Sequence, residues 1–244
     1  GEGQKITITA EKLTTGVKSV WYASAVSDIK PEIASVYMHY SDDQCVFVAT
    51  DSFRLAEKKV KNNTLDGGGV IIPVKNIHEI MRVFETVSGE CEVVFDENQI
   101  SFSKDGVFMT SRVVNGTYPD YTQIIPKNFS TEVTVIKNDL VNALKLTTVF
   151  SDKFNKVNIK ADAERGVFEI SSKNVDVGEN MTVLDVSMQG ESFDVNFNHR
   201  YILDGFQSIP QESVVLRYSA EREILVIQGV SEPSFIYLVK PMNR

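Results

Sequence analysis

The 244-residue chain is poor in the side chains that usually carry chemistry, with two cysteines, three histidines and one tryptophan. Cys45 and Cys91 each sit in an apolar, strand-like run and form no Cys-x-x-Cys, so both read as buried thiols and not as a disulfide or a metal site. No histidine falls in a His-Glu-x-x-His or comparable spacing, and no Gly-x-Ser-x-Gly elbow occurs, which removes the common zinc and serine-hydrolase signatures. His39 lies in a strand pattern. His78 and His199 lie about one turn into helices, where a lone histidine is expected to be solvated or to cap. Gly67-Gly68-Gly69 precedes a strand instead of opening a helix and lacks a following Lys-Ser/Thr, so it reads as a flexible turn and not as a phosphate loop. Asp51 ends an apolar strand, where aspartate ordinarily bonds to nearby backbone in a turn. Catalysis, a cofactor and a bound metal are therefore not expected.

Long apolar runs are absent too. None approaches the roughly 20 residues needed to cross a bilayer, and the N-terminus has no basic-then-apolar layout, so a cytoplasmic protein is expected. Gly1-Glu2-Gly3 has no initiator methionine, which fits a tag scar or a start partway through a longer gene product. Basic residues are outnumbered, 25 to 33, for a formal net charge of -8. That sign argues against nucleic acid over the whole surface, but one wall of an acidic protein can still be basic. With 42% hydrophobic and 24% charged residues, the length supports two domains of roughly 120 residues.

What the chain does contain is a repeat. Four segments share a short alternating strand, a polar or basic junction and an amphipathic helix. The first runs from Ile6-Thr7-Ile8-Thr9 through Glu11-Lys12-Leu13 to Val17, Val20 and Trp21. The second runs from Val70-Ile71-Ile72-Pro73 through Lys75-Asn76-Ile77 to Ile80, Met81 and Phe84. The third runs from Val133-Thr134-Val135 through Lys137-Asn138-Asp139-Leu140 to Leu144 and Thr147. The fourth runs from Phe193-Asp194-Val195-Asn196-Phe197 through His199-Arg200-Tyr201 to Ile202 and Phe206. Leu13, Ile77, Leu140 and Tyr201 follow one another at 64, 63 and 61 residues, and apolar positions within each helix recur at three or four.

After each helix the pattern turns to period two. Polar turns are expected at Ser41-Asp42-Asp43-Gln44, Asp96-Glu97-Asn98-Gln99, Asp162-Ala163-Glu164-Arg165-Gly166 and Ser219-Ala220-Glu221-Arg222-Glu223, with a tight hairpin at Asp105-Gly106. Each unit is thus strand, helix and antiparallel meander. Two side by side bury their helices against sheet, giving an α+β fold of two repeated domains with the helices on one face. Two prolines interrupt the pattern between Tyr118-Pro119-Asp120-Tyr121 and Pro126-Lys127-Asn128-Phe129, which places domains at 1–127 and 128–244.

Three stretches are more specific. Ala49-Thr50-Asp51-Ser52-Phe53-Arg54-Leu55-Ala56 resembles the Ala-Thr-Asp-x-x-Arg-Leu-Ala signature of the bacterial DNA polymerase III beta subunit, the sliding clamp family. Gly116-Thr117-Tyr118-Pro119-Asp120-Tyr121 with Ile124-Ile125-Pro126 resembles that family's segment between its second and third domains. Tyr237-Leu238-Val239-Lys240-Pro241-Met242 is similar to its last strand and tail. The three occur in the family's order. The family has three such domains, so the resemblance implies that the first is the one missing, and with it half of the interface that closes a head-to-tail homodimeric ring.

The resemblance further implies a non-catalytic protein that encircles double-stranded DNA without sequence preference, its helices facing the hole. The basic residues on those helices are Lys12, Lys18, Lys75, Arg82, Lys137, Lys145 and Arg200, offset by Glu11, Glu79, Asp139 and Asp204. Lys75 stands where the family tends to be basic, and helix N-termini attract phosphate. The family also docks linear peptides of polymerase, clamp loader and repair proteins in a groove between its second and third domains. The matching positions here are Ile33, Thr50, Arg54, Leu55, Pro119, Ile124, Leu238, Pro241 and Met242; taken without the resemblance, Ile33, Leu55 and Leu238 read as core. Lys240 stands where an apolar residue is common and Phe53 where histidine is frequent, and Asn243-Arg244 alters the usual tail. The alternatives are a two-domain clamp of the archaeal and eukaryotic kind, closing as a trimer, and a nucleotide-processing enzyme with a scattered site.

Overall fold

A computed structural model describes residues 3–63 and 68–242. Gly67 of the expected glycine turn, Gly1-Glu2 and the Asn243-Arg244 tail lie outside the described residues. The chain divides into two compact units, Gly1–Asp120 and Tyr121–Arg244. The division falls seven residues before the seam read from the prolines at 127/128, because from Tyr121 onward the chain already packs with the second unit.

The first unit contains β1 (Gln4–Thr9), α1 (Ala10–Val20), β2 (Ser35–Ser41), β3 (Gln44–Thr50), β4 (Arg54–Lys61), β5 (Gly69–Pro73), α2 (Val74–Phe84), β6 (Glu90–Phe95), β7 (Gln99–Lys104) and β8 (Val107–Arg112). The second contains β9 (Thr131–Ile136), α3 (Lys137–Val149), β10 (Lys156–Asp162), β11 (Val167–Asn174), β12 (Gly178–Leu184), β13 (Val186–Gly190), β14 (Phe193–Asn198), α4 (His199–Gly205), β15 (Ser213–Ser219), β16 (Ile224–Gly229) and β17 (Phe235–Val239). Among the described residues no helix is long and apolar enough to cross a membrane.

Local chemistry explains the hairpins. Asp42 and Asp43 both take positive φ, 50° and 58°, and close β2 onto β3 with Ser41 opposite Gln44, the two-residue turn whose twist suits paired strands. Asp105 (φ 44°) and Gly106 (φ 82°) do the same between β7 and β8. At the next turn type, the Asp96 carboxylate accepts from the Asn98 and Gln99 amides at 2.8 and 2.9 Å. All five expected turns lie between paired strands.

The sheets are assembled by exchange. β1 does not join the meander of its own module; it pairs with β6 of the next, in the order β1-β6-β7-β8. In return β5 pairs with β2, completing β5-β2-β3-β4. The second unit repeats the scheme: β14 joins β10, and β9 joins β15, with β13 added outside β9. Every pairing in the two units is antiparallel. Each of these four strands runs into its helix without an intervening residue, and within each unit the two helices pack together, α1 on α2 and α3 on α4.

Leu13, Val17, Ile77, Ile80 and Phe84 are buried in the first unit, and Leu140, Leu144, Phe168, Phe197 and Ile202 in the second. Cys45 and Cys91 are both buried free thiols, and burial pushes the Cys45 thiol up to about 12. In two places a helix approaches so closely that only glycine fits. A Cβ on Gly16 of α1 would lie 2.2 Å from the Phe47 ring of β3, and one on Gly205 of α4 would lie 2.4 Å from the Tyr237 ring of β17. Gly16→Ala and Gly205→Ala are each expected to destabilise the protein by about 1–3 kcal/mol through overpacking. Urea unfolding checks this, and an unchanged midpoint for either variant contradicts the packing.

Candidate functional site

The Ala-Thr-Asp-x-x-Arg-Leu-Ala stretch is the turn between β3 and β4, and its polar residues hold it closed. The Asp51 carboxylate accepts from the Phe53 amide at 2.9 Å, the Arg54 amide at 3.0 Å and the Arg54 Nε at 3.1 Å. The Thr50 hydroxyl donates to the Arg54 carbonyl at 2.6 Å and accepts from the Ser52 amide at 3.2 Å, while Ser52 takes a φ of 78°. Asp51 and Arg54 form an ion pair whose side chains are only 12% and 9% exposed. Asp51 is therefore a structural residue, as its position at a strand end implied. The turn leaves one apolar group outside: Phe53 is 60% exposed.

The first unit holds five of the nine positions that the family resemblance implies for peptide docking. Leu55 is fully buried on β4, Ile33, Thr50 and Arg54 are buried, and Pro119 is exposed. Beside Pro119 the Tyr118 ring stacks on Tyr37 with centroids 4.6 Å apart. In the second unit Leu238 is buried on β17, and Ile124, which ends a 3-10 turn (Tyr121–Ile124), is half-buried like Pro241 and Met242. The Met242 amide donates to the Asn196 carbonyl at 2.8 Å, which ties the tail to β14. Pro241 and Met242 thereby line a cleft of about 420 Å³ with Asn196, Tyr218 and Arg222. No sequence motif marks those last three residues. Only the strand order puts them beside the tail, so they were not legible as site residues.

The seven helix cations divide into two groups. Lys18 bonds Glu85 at 2.6 Å, Arg82 bonds Glu79 at 2.5 Å, and the Lys137 ammonium donates to the Ile209 carbonyl at 2.8 Å. Lys12, Lys75, Lys145 and Arg200 make no ion pair among the described residues; Lys12 is half-buried and the other three are exposed. Lys12, Lys75, Lys137 and Arg200 all lie in the first turns of their helices.

The histidines are not convergent. His39 is half-buried and stacks on Tyr37 at 4.9 Å; His78 is exposed and meets Trp21 edge-on at 4.7 Å. His199 differs from expectation: it opens α4 and is buried, 2% exposed. Its Nε2 lies 3.3 Å from the Ser151 hydroxyl, and burial holds its pKa below the ordinary value. Capping falls instead to Asn198, whose side chain accepts from the Arg200 and Tyr201 amides at 3.0 and 3.4 Å. Among the described residues no group of three or more His, Cys, Asp or Glu could hold a metal ion.

With this geometry in hand, the comparisons with known proteins are specific. The family described as DNA polymerase III beta subunit, central domain, matches residues 7–120, and its C-terminal domain matches residues 122–243. The chain is 24% identical to the beta sliding clamp of Synechococcus elongatus over 247 residues, covering 98% of this chain and 66% of that protein. It is 23% identical to the beta sliding clamp of Staphylococcus aureus, covering 98% of this chain and 64% of that one. The chain thus spans slightly less than two thirds of the length of these relatives. A crystal structure of the DNA polymerase sliding clamp from Pseudomonas aeruginosa has the same fold, with a TM-score of 0.94 at 23% identity over all of this chain and 68% of that one. The chain belongs to the DNA polymerase III beta subunit family and carries that family's central and C-terminal domains.

Proposed function

We propose that this chain is part of a cytoplasmic DNA sliding clamp, a ring that encircles duplex DNA and tethers replication and repair proteins to it without chemistry of its own. The carrying observation is the recurrence of a cation in the first turn of all four helices. A cation there opposes the helix dipole by about 0.3–1 kcal/mol; the Ile209 carbonyl satisfies Lys137, and the other three call for an external anion. Lys75 and Arg200 are the clearest cases, since the first turns of α2 and α4 contain no acidic residue to offset them. Phosphate suits such a site, and contact with phosphate alone carries no sequence information, which is what sliding requires. Of the seven cations expected on the DNA side, Lys12, Lys75, Lys145 and Arg200 remain free to act, while Lys18, Arg82 and Lys137 hold the protein's own groups.

Ring closure has a suitable surface in the second unit. β12 is an edge strand, with Met181 and Val183 exposed at 65% and 58%, and α3, which packs on it, exposes Leu146 and Val149. An open strand edge flanked by exposed apolar side chains is a pairing surface. In this reading it meets the first domain of a partner subunit in a head-to-tail homodimer.

The docking partners are linear peptides of polymerase, clamp loader and repair proteins. Their receptor residues are Ile33, Thr50, Arg54, Leu55 and Pro119 of the first unit and Ile124, Leu238, Pro241 and Met242 of the second. The half-buried, tethered Pro241-Met242 tail supports this, because methionine adapts to varied apolar partners.

Two measurements test the proposal. Charge reversal at Lys75 and Arg200 together is expected to weaken binding of a short DNA duplex and to reduce the slope of log affinity against log salt by roughly two, read by fluorescence anisotropy. An unchanged slope contradicts phosphate contact by these residues. A peptide with a glutamine and a Leu-Phe pair is expected to bind at roughly micromolar strength, and Met242→Ala to weaken it about tenfold. Calorimetry showing no binding, or equal binding by the variant, contradicts the docking role.

A further inference from the structure

We infer that Asn115 and Gly116 form a site of spontaneous covalent modification, at which the asparagine side chain closes on the backbone nitrogen of the glycine and reopens as aspartate and isoaspartate. Such a ring closure has three requirements. The side-chain amide must not be held elsewhere, the next backbone amide must be free of a hydrogen bond, and the next residue must carry no side chain that obstructs the approach. Asn115-Gly116 is the chain's one Asn-Gly pair. Both residues are exposed, in an irregular stretch between the end of β8 and the 3-10 turn that starts at Tyr121. Among the described residues the Asn115 side chain makes no hydrogen bond, and the Gly116 amide donates to no acceptor. The side chain nearest to the glycine is Glu32, whose Oε1 lies 3.1 Å from the place a Gly116 Cβ would take; Glu32 is itself exposed and leaves the approach from Asn115 open.

The other asparagines do not meet these requirements. Each precedes a residue with a side chain. Several are also held: the Asn62 amide by the Thr7 carbonyl at 3.0 Å, that of Asn158 by Asp194 and Asn196 at 2.7 and 3.1 Å, and that of Asn174 by the Ser151 carbonyl at 3.0 Å. Asp105-Gly106 has no amide to lose and is closed in a hairpin at φ 44° and 82°. At Asn115 the Gly116 nitrogen bonds to the side-chain carbonyl carbon, its proton passes to solvent base, and the side-chain nitrogen takes up a proton and leaves as ammonia. Water then adds to either carbonyl of the resulting succinimide and breaks that carbon's bond to the ring nitrogen. One opening gives aspartate; the other leads the main chain through the former side chain, one methylene longer. No oxidant or reductant takes part. The span that absorbs this change is pinned at both ends, since the Val114 amide donates to the Ile71 carbonyl at 2.8 Å and Tyr118 is buried and stacked on Tyr37. A new carboxylate also arises next to the glycine that Glu32 faces, adding like charge to a chain already at -8.

Peptide mapping by mass spectrometry tests this, on protein kept for days at neutral and at mildly alkaline pH, either folded or in urea. The peptide containing residue 115 is expected to gain about one mass unit and to separate into two products, the isoaspartate form in excess and able to accept a methyl group from an isoaspartyl methyltransferase. Because the amide proton must leave, conversion is expected to run severalfold faster at the alkaline pH. Because nothing holds the site, its rate in the folded protein is expected to lie within severalfold of the rate in urea. Asn115→Gln is expected to remove the signal, and Gly116→Ala to slow conversion severalfold by placing a Cβ beside the attacking nitrogen. An Asn115 that survives in the folded protein while converting in urea overturns the inference. Equally fast conversion in Gly116→Ala also overturns it, since hydrolysis would then proceed without ring closure.

Discussion

The structure depends on strands that are lent across modules. Each module begins with a strand that its own meander does not use, and that strand closes the sheet of the other module in its pair. β1 puts Ile8 opposite Cys91, and β5 brings Val70, Ile71 and Ile72 to β2, all of them buried. Without its neighbour, a module loses this apolar strand and presents an open sheet edge, a state prone to mispairing. The exchange therefore makes the pair of modules the smallest stable unit, at the entropic cost of contacts far apart in sequence.

The same constraint fixes what the helices present. Because every lent strand passes into its helix with no linking residue, the first turn of each helix is anchored at the end of a sheet. The backbone that carries the cations of those turns is thereby held in place, which suits the phosphate contact proposed above even in a chain of net charge -8. Charge elsewhere is spent on holding the protein together, as with Asp51 and Arg54, or Arg217, whose Nε donates to the Glu132 carboxylate at 2.7 Å. Among the described residues, exposed side chains include Lys75 and Arg200 at the helix starts, Met181 and Val183 on the β12 edge, and Phe53, along with Val26, Ile29, Phe108 and Val175.

Much of this was legible in the sequence. The recurrence of Leu13, Ile77, Leu140 and Tyr201 located all four helices, because the periods of helix and strand differ and the polar turns punctuate them. Asp42-Asp43 and Asp105-Gly106 were recognisable as hairpin tips from residue type alone. Strand partnership was not legible, since an alternating pattern states which face is buried and never which strand lies alongside. That is why the exchange, the extra strand β13 and the cleft around Arg222 emerged only in three dimensions. His199 was misjudged for a related reason: its burial comes from Ser151 and Asn155, far away in sequence. The proposed docking residues could be named only through family resemblance, because Leu55 and Leu238 are indistinguishable from core by pattern.

Native-state hydrogen exchange measured strand by strand tests the lending of strands most directly. The account predicts that β1 amides open at the same free energy as those of β6, β7 and β8, and that β5 opens with β2, β3 and β4, since each lent strand shares the fate of its host sheet. Opening of β1 together with its own module while β6, β7 and β8 stay protected would contradict it.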